Sequence, residues 1–402
     1  MVAISINYRL AGWGFLYSST IAAAGPSNFG LLDQRLALRW IQENIASFGG
    51  SPEKVTIWGE SAGAWSVGAH LIAYGGRDDG LFRAAIAESG APIIFTEHNA
   101  ILAQDGYDTV TKITGCATAV DQLSCLRALP FDTLNDALNT TVYYFQPVID
   151  GTFIATFPSK QLASGAFVHV PFLIGANSDE GTAFGAHGIN DDADFKTLVM
   201  SKGADAETAK IISYLYPNIP AIGIPATLSE PPTNTSLGLQ YKRQASLSGD
   251  YEMIGPRRAS CEAWSNYSVP AYCYRFNVLV AGLTAEVGST HFQEVAFVFD
   301  NIHGYGYVLD AINPFTDEPE TYYRLAKIMS RMWVSFVVNL DPNKHGIRGV
   351  PDWPAYDIGD GRGAQDMVFD TNVTTLAYPE RDIFRAEGIA FINKIAASQF
   401  GR

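Results

Sequence analysis

The chain has 402 residues, of which 47% are hydrophobic and 17% are charged, and its formal net charge at pH 7 is −14. This composition describes a globular protein with a substantial core and excludes a disordered chain. The acidic charge repels phosphate backbones and argues against a nucleic-acid partner, and no stretch of the sequence approaches the ~20 apolar residues that span a bilayer.

The predicted secondary structure alternates between strands and helices. Short β-branched or apolar runs predict strands over residues 2–8, 54–58, 83–88, 171–176 and 271–276. Apolar residues at helical spacing predict helices over residues 31–45, 62–73 and 320–338. We therefore expect an α/β fold with a mostly parallel central sheet and helices on both faces.

The organisation of the chain favours a single domain over residues 1–402. The sequence contains no internal repeat, low-complexity tract or clear interdomain linker. Residues 189–248 become first helical and then Pro-rich, which we interpret as a peripheral insertion.

The run Gly-Glu-Ser-Ala-Gly at residues 59–63 carries the most chemical information. Gly-x-Ser-x-Gly places a serine on a sharp strand-to-helix turn, where side chains in place of either glycine would clash. A chance match is the alternative, but a predicted strand precedes this run and a predicted helix follows it. Ser61 is therefore the candidate nucleophile of an ester hydrolase, and the backbone N–H of Ala62 is a candidate oxyanion donor.

A serine nucleophile of this kind needs an acid and a histidine base, which follow it in the order acid, then histidine. Asp179 and Glu180 come directly after the strand predicted at residues 171–176. Because open α/β sheets bind ligands at the carboxyl ends of their strands, both carboxylates qualify as the acid. A solvated acidic turn is the alternative interpretation of this run.

The choice of base rests on chain order and on the approach to each histidine. His70 is interpreted as a packed or partly exposed side chain of the helix after Ser61, and His98 and His169 precede the acid. The histidines that follow the acid are His187, His291, His303 and His345. Of these, His291 is favoured because a flexible Gly-Ser-Thr run precedes it.

Several further motifs follow one another in order along nearly the whole chain. They include Asn-Tyr-Arg-Leu at residues 7–10, the run around Ser61 at 55–64, Asn-Ser-Asp-Glu-Gly at 177–181, Gly-x-x-His-x-x-Glu at 288–294 and Trp-Pro-Ala-Tyr at 353–356. With these motifs the sequence resembles the type-B carboxylesterase/lipase family, the cholinesterase-like branch of the α/β hydrolases. Within that family it is most similar to secreted fungal lipases and esterases.

The resemblance implies an α/β-hydrolase fold and a carboxylic ester hydrolase that works through an acyl-enzyme. It assigns the nucleophile to Ser61, the triad acid to Glu180 and the base to His291, which leaves Asp179 as a structural neighbour. It implies no cofactor and no metal ion. The substrate would be a small-molecule or lipid ester, with contact to a lipid interface as a further expectation, and the sequence does not indicate the oligomeric state.

The cysteines and glycosylation sequons bear on the compartment. Cys116 and Cys125 match a small disulfide loop of the family, whereas Cys261 and Cys273 match no family disulfide, so free thiols stay an alternative there. The Asn-x-Ser/Thr sequons, which are candidate glycosylation sites, begin at Asn139, Asn234, Asn266 and Asn372. Together with the acidic surface, these features favour a secreted glycoprotein.

The N-terminal part of the chain departs from the family pattern. Met1 opens directly onto the predicted strand at residues 2–8, without a signal peptide, so we expect the secreted location to apply to a longer parent protein. The resemblance also implies a further strand, which lies in the sheet between the strands predicted at residues 2–8 and 54–58, and two further oxyanion donors. The sequence contains no match to the portion of the family that supplies them. Each lost donor would cost ~2.7–4 kcal/mol of barrier stabilisation. A catalytically impaired or silent fragment is therefore the alternative function.

The sequence leaves lipase and short-chain esterase activities open. Phe184, Phe297 and Phe299 could line an acyl pocket, but buried aromatic side chains are more often ordinary core.

Overall fold

A six-stranded sheet runs through the centre of the computed structural model, which describes residues 1–93, 98–140, 145–228, 232, 236–307, 311–359, 361 and 363–402. The strands lie in chain order across the sheet and are β1 (Thr56–Glu60), β2 (Ala84–Glu88), β3 (Phe172–Asn177), β4 (Ala271–Phe276), β5 (Gln365–Phe369) and β6 (Ala377–Arg381). The first five strands are parallel, and β6 pairs antiparallel with β5.

Helices connect and flank the strands. In chain order the α-helices are α1 (Ala11–Phe15), α2 (Ser19–Ala24), α3 (Phe29–Asn44), α4 (Ala62–Gly76), α5 (His98–Ile113), α6 (Gln122–Arg127), α7 (Phe131–Asn139), α8 (Pro158–Ala163), α9 (Gly181–Phe184), α10 (Asp192–Ser201), α11 (Ala206–Leu215), α12 (Tyr241–Gly249), α13 (Gly255–Asn266), α14 (Val295–Val298), α15 (Glu320–Asn339), α16 (Ala386–Lys394) and α17 (Ala396–Gln399). A π-helix at Asp250–Ile254 joins α12 to α13, and short 3-10 helices lie at Ile45–Phe48, Pro52–Lys54, Cys116–Thr118, Pro220–Ile222 and Pro342–Lys344.

Two hydrophobic clusters pack on opposite faces of the sheet. Along β2, Ala85 and Ala87 pack with residues of α3, α4 and α13, whereas Ala84 and Ile86 pack with residues of α14 and α15. Every residue of β2 and β3 is buried, as expected for parallel strands that are covered on both faces. The α/β-hydrolase fold predicted from the sequence is therefore confirmed.

Most of the predicted elements form close to their expected bounds. Four of the five predicted strands and all three predicted helices are present, with ends displaced by at most three residues. Strands β5 and β6 were not predicted. Within residues 189–248 the structure contains α10, α11 and α12, with the 3-10 turn Pro220–Ile222 in the Pro-rich part.

The predicted strand at residues 2–8 is wrong. These residues are not in a strand, and Met1, Val2 and Ile4 are exposed. β1 is the terminal strand of the sheet, and a cavity of about 570 Å³ lies between it and residues 1–8. A strand needs a neighbour that completes its ladder of hydrogen bonds, so a β-branched composition alone is not sufficient. A cavity thus lies on the side of β1 where the family resemblance implied a further strand.

Both cysteine pairs form disulfides. Cys116 is bonded to Cys125, the pair that the family resemblance implied, and Cys261 is bonded to Cys273. The free thiols that the sequence left as an alternative at the second pair are therefore not found.

Three of the four sequon asparagines are exposed, namely Asn139, Asn266 and Asn372, and Asn234 lies outside the described residues. Their glycosylation stays a prediction. None of the helices in the described ranges has the length and apolar character that would let it cross a membrane.

Candidate active site

Ser61 lies at the turn between β1 and α4. Its backbone has φ 54° and ψ −119°, a strained conformation of the kind found at functional turns. A Cβ atom added to Gly59 would lie 2.3 Å from the backbone of Gly63, so position 59 requires glycine. A Cβ atom on Gly63 would meet nothing within 4 Å, so the clash expected at both glycines holds only for Gly59.

The parallel register brings polar residues to the edge of the sheet where Ser61 lies. Glu60 at the end of β1 is in register with Glu88 at the end of β2, and Glu88 is in register with Gly175 of β3. The backbone N–H of Ser61 donates to the carbonyl of Glu88 over 2.9 Å, and that of Ser89 donates to the carbonyl of Gly175 over 2.9 Å. The loops after β1, β2 and β3 therefore meet at one site.

Glu180 and His291 form a direct pair at this edge. Oε2 of the fully buried Glu180 lies 2.8 Å from Nδ1 of His291. The other carboxylate oxygen, Oε1, accepts hydrogen bonds from the backbone N–H of Asn177 over 2.8 Å and from the Ser89 hydroxyl over 2.5 Å. These two donors fix the carboxylate, and the fixed carboxylate orients the imidazole.

The second nitrogen of His291 faces another carboxylate. Nε2 lies 3.2 Å from Oε1 of Glu60, the residue next to Ser61. Burial lowers the pKa of His291, but the hydrogen bond and charge of Glu180, together with the charges of Glu60 and Glu294, outweigh burial and raise this pKa to about 9. The carboxylates around His291 therefore favour its protonated form, the imidazolium.

Several buried acids surround the pair and were not identified from the sequence. Burial, with repulsion from Glu294, raises the pKa of Glu60 to about 8, and burial with the charge of Glu180 raises that of Glu294 to about 7. Glu88 accepts hydrogen bonds from the indoles of Trp58 and Trp333, and burial raises its pKa well above the ordinary range. Glu60 and Glu294 lie within the motifs around Ser61 and His291, so adjacency to those residues was the available signal.

The other histidines have no comparable partner among the described residues. His70 is buried with Nε2 3.0 Å from the amide oxygen of Gln34, and burial lowers its pKa to about 3. This agrees with its interpretation as a packed side chain. His187 contacts the ring of Tyr241, and Nδ1 of His345 accepts a hydrogen bond from the backbone of Ile347.

The remaining histidine side chains that the structure describes, those of His169 and His303, also lack a carboxylate pair. His169 lies 3.1 Å from the carbonyl of Gly165, His303 lies beside Tyr305, and the side chain of His98 is outside the described part of the structure. Within the described residues, only His291 has a carboxylate at each ring nitrogen.

The three candidate acyl-pocket phenylalanines differ in their surroundings. Phe297 is fully buried in the core, whereas Phe184 and Phe299 are 40% and 60% exposed. The ring of Phe184 packs edge-on against His291 at 4.7 Å, and that of Phe299 stacks on Trp58 at 4.9 Å. The structure thus places Phe184 at the candidate site and makes Phe297 part of the core.

The remaining expectations for the site concern the oxyanion donor and metal ions. Ala62 is the first residue of α4, where backbone N–H groups lack an acceptor within the helix. In the part of the chain that the structure describes, no three His, Cys, Asp or Glu side chains are grouped to hold a metal ion.

The chain is similar to several proteins named as lipases. It is 34% identical over 386 residues to a secreted triacylglycerol lipase of Gibberella zeae, a match that covers 88% of this chain and 60% of the relative. It is 33% identical over 408 residues to Lipase 2 of Diutina rugosa, covering 96% of this chain and 68% of that protein. The chain thus spans about three fifths of the length of the first relative.

The fold has a counterpart among solved structures. The crystal structure of Aspergillus niger EstA matches with a TM-score of 0.82 and 26% sequence identity, over 98% of this chain and 74% of that one. The model of the carboxylesterase family matches residues 1–379. The resemblance inferred from the motifs is therefore confirmed: this chain belongs to the carboxylesterase family.

Proposed function

We propose that this chain is a serine carboxylic ester hydrolase in which Ser61, His291 and Glu180 act as a triad. The observation that carries the proposal is the 2.8 Å contact between Glu180 and His291 at the sheet edge where the strained Ser61 turn lies. Membership of the carboxylesterase family and the lipase relatives support the same reaction.

The proposed reaction proceeds through an acyl-enzyme. The Ser61 hydroxyl attacks the ester carbonyl while Nε2 of His291 takes its proton, and Glu180 stabilises the imidazolium. The N–H of Ala62 donates to the oxyanion, and the alcohol leaves with the proton of His291. A water molecule then attacks the acyl carbonyl while His291 takes its proton. The carboxylic acid is released as His291 returns that proton to the Ser61 oxygen.

The proposed substrates are small-molecule or lipid esters. The relatives named as secreted lipases support a lipid ester and a secreted location, and contact with a lipid interface belongs to the same proposal. The catalytically silent alternative is not favoured, since the chain resembles lipases over most of its length.

Covalent labelling tests the nucleophile. A fluorophosphonate that reacts with activated serines should label the 402-residue chain on Ser61, with the site identified by mass spectrometry of the digested protein. Ser61→Ala should abolish the label. Ser66→Ala is the matched control: Ser66 lies on α4 and its hydroxyl bonds the carbonyl of Ala62, so the variant should label like the parent. A folded parent chain that stays unlabelled, or a label on another serine, would reject the proposal.

The pH dependence of hydrolysis tests the role of His291. Because only the neutral imidazole can take the Ser61 proton and the pKa of His291 is raised to about 9, kcat/KM should rise with pH up to that region. Glu60→Gln removes one of the charges that raise this pKa, so the ascending limb should move toward the ordinary value of 6.5. The gain in kcat/KM should appear between about pH 8 and pH 9, where Glu60 is ionised and His291 is still largely protonated.

The comparison is a pH–rate profile of both proteins with p-nitrophenyl butyrate. Glu262→Gln serves as a control, because Glu262 is a partly buried acid whose interacting charges are those of Arg257, Arg258 and Asp382. If the ascending limb of the kcat/KM profile stays at the same pH in Glu60→Gln, the result would contradict the assignment of His291 as the base whose pKa Glu60 raises.

A further inference from the structure

A set of side chains at the end of β3 and just after it holds the loop that carries His291. We call Asn177, Asp179 and Thr182 the clasp. The Thr182 hydroxyl bonds the carbonyl of Val287 and the hydroxyl of Thr290, each over 2.8 Å. The Asn177 amide donates to the carbonyl of Thr290 over 2.6 Å. The clasp therefore grips the loop on the N-terminal side of His291.

Asp179 is the centre of the clasp. Its backbone N–H donates to the carbonyl of Ser289 over 2.9 Å, and its carboxylate Oδ2 accepts the N–H of Ser289 over 2.7 Å. This reciprocal pair fixes both peptide groups of a residue that lies two positions before His291. The Ser289 hydroxyl in turn bonds the carbonyl of Phe276 over 3.0 Å, which anchors the loop to the end of β4.

The close approach of the clasp to the loop depends on Gly288. This glycine has φ +65°, and a Cβ atom there would lie 2.3 Å from Oδ2 of Asp179 and 2.6 Å from Cβ of Pro225. A side chain at position 288 would push the Asp179 carboxylate out of its contact with Ser289. The glycine and the carboxylate therefore work as a unit.

Stability alone does not account for a carboxylate at this position. Asp179 is 3% exposed, and its Oδ1 is buried without a hydrogen-bond partner among the described residues. Burial raises its pKa to about 6 although the Ser289 N–H and the charges of Arg385, Arg275 and Lys242 oppose this shift. A group with a raised pKa stabilises the fold only at low pH, so the ionised carboxylate costs stability at neutral pH.

We propose that Asp179 is a positioning residue for ester hydrolysis, which acts through Ser289 to hold Nδ1 of His291 against Glu180. This inference rests on the proposed function for its catalytic consequence. Its structural content is a coupling between the Asp179–Ser289 pair and the His291–Glu180 hydrogen bond. The coupling can be measured without turnover.

Two variants at position 179 separate positioning from charge. Asp179→Ala removes the acceptor of the Ser289 N–H, whereas Asp179→Asn keeps an acceptor oxygen at the same reach. The first readout is the downfield proton NMR signal of the His291 Nδ1–H, assigned by its absence from His291→Gln. The second is kcat and KM for p-nitrophenyl butyrate.

In Asp179→Ala the NMR signal should be lost or move upfield, and kcat should fall roughly 10²-fold while KM stays close to the parent value, since misplacement of about 1 Å costs that much. Asp179→Asn should keep the signal and most of kcat. Asp366→Ala is the control, because it removes a buried carboxylate that pairs with Arg257 away from the loop. It should lower stability and leave the His291 signal in place.

Gly288→Ala provides an independent test that does not alter Asp179 itself. It should weaken the same NMR signal, and its effect should be smaller in the Asp179→Ala background, because one of the two clashing groups is then absent. If Asp179→Ala does not fold, Asp179→Asn and Gly288→Ala decide the question.

Results that would overturn the role of Asp179 differ from results that would reject the proposed hydrolase function. A folded Asp179→Ala with the parent signal and the parent kcat would overturn the inference, as would additive effects of the two substitutions. A parent chain that shows no hydrolysis while the signal responds to Asp179→Ala and Gly288→Ala would reject the proposed function and support the coupling.

Discussion

Glu180→Gln should lower kcat by about 10⁴-fold while KM changes little, the loss typical of replacing the acid of a Ser-His-acid triad by its amide. The size of this loss follows from the tautomer that the amide imposes on His291. In the native site Oε2 of Glu180 lies 2.8 Å from Nδ1 of His291, so in the neutral imidazole Nδ1 carries the proton and Nε2 can accept one.

The surroundings of Glu180 fix the orientation of the amide in the Glu180→Gln variant. The backbone N–H of Asn177 donates to Oε1 over 2.8 Å. Because an N–H group cannot accept a hydrogen bond, this position requires an oxygen atom. The amide oxygen of the variant side chain must therefore face Asn177, and its NH₂ group must face His291. An NH₂ group makes Nδ1 an acceptor and places the proton on Nε2, where the imidazole cannot take the proton of Ser61.

Glu294→Gln is the matched control for this substitution. Glu294 is equally buried and is bonded to the amide of Asn177 over 2.7 Å and to the hydroxyl of Ser89 over 3.2 Å. Its pKa is raised to about 7, so it is partly neutral at neutral pH, and an amide reproduces that form. Its kcat should stay within about tenfold of the parent value. A Glu180→Gln enzyme with equally small losses would contradict the role of Glu180.

The candidate triad could be found from the sequence because each member lies in a local signal. The Ser61 turn needs only a strand, a helix and Gly59, and all three lie within the single stretch from Thr56 to Gly76. No local signal in the sequence decided between Asp179 and Glu180. Both follow β3, and only the family resemblance separated the residue that faces His291 from the one that holds Ser289.

The acids around the candidate triad could not be predicted in the same way. Glu60 and Glu88 come together through the register of β1 with β2, and Glu294 reaches them from a distant part of the chain, after β4. No pattern within a single segment of the sequence predicts that these three side chains lie close together. Their raised pKa values arise from burial, which is itself a property of the assembled sheet and helices.

The strands that were missed or wrongly predicted show the same dependence on partners. Residues 2–8 have the composition of a strand and form none, because no strand of the described residues lies between them and β1. β6 reads Ala-Tyr-Pro-Glu-Arg and forms a strand despite its proline and charges, because it pairs along its whole length with β5 at the sheet edge. Pairing, and not composition, decided both cases.

Asp382→Ala should lower the free energy of unfolding by about 3–5 kcal/mol, since removing one partner of a buried ion pair leaves its charges uncompensated. Asp382 follows β6, and its side chain is 2% exposed. Its Oδ1 accepts from Arg258 over 2.5 Å and from Arg257 over 3.1 Å, and its Oδ2 accepts from the hydroxyl of Tyr356 over 3.0 Å. The variant would leave two buried guanidinium groups of α13 short of an acceptor.

The pH dependence of stability gives this prediction a definite sign. Burial tends to raise the pKa of Asp382, but the charges of Arg257 and Arg258 outweigh it and lower the pKa from 3.8 to about 2. A lowered pKa stabilises the fold above the unfolded value, and that stabilisation is lost as the pH falls from about 4 toward 2. Asp382→Asn should remove this part of the acid sensitivity.

Equilibrium unfolding in guanidinium chloride, followed by tryptophan fluorescence at pH 7 and at pH 3, measures both effects. Asp33→Ala is the control with the same chemical change: Asp33 pairs with Arg9 at the surface over 2.6 Å, and its loss should cost at most about 1 kcal/mol. The two variants should differ strongly at pH 7, and the difference should narrow at pH 3, where Asp382 has begun to lose its advantage. Equal midpoints for the two variants at pH 7 would show that the Arg257, Arg258 and Asp382 cluster does not hold α13 to the end of the sheet.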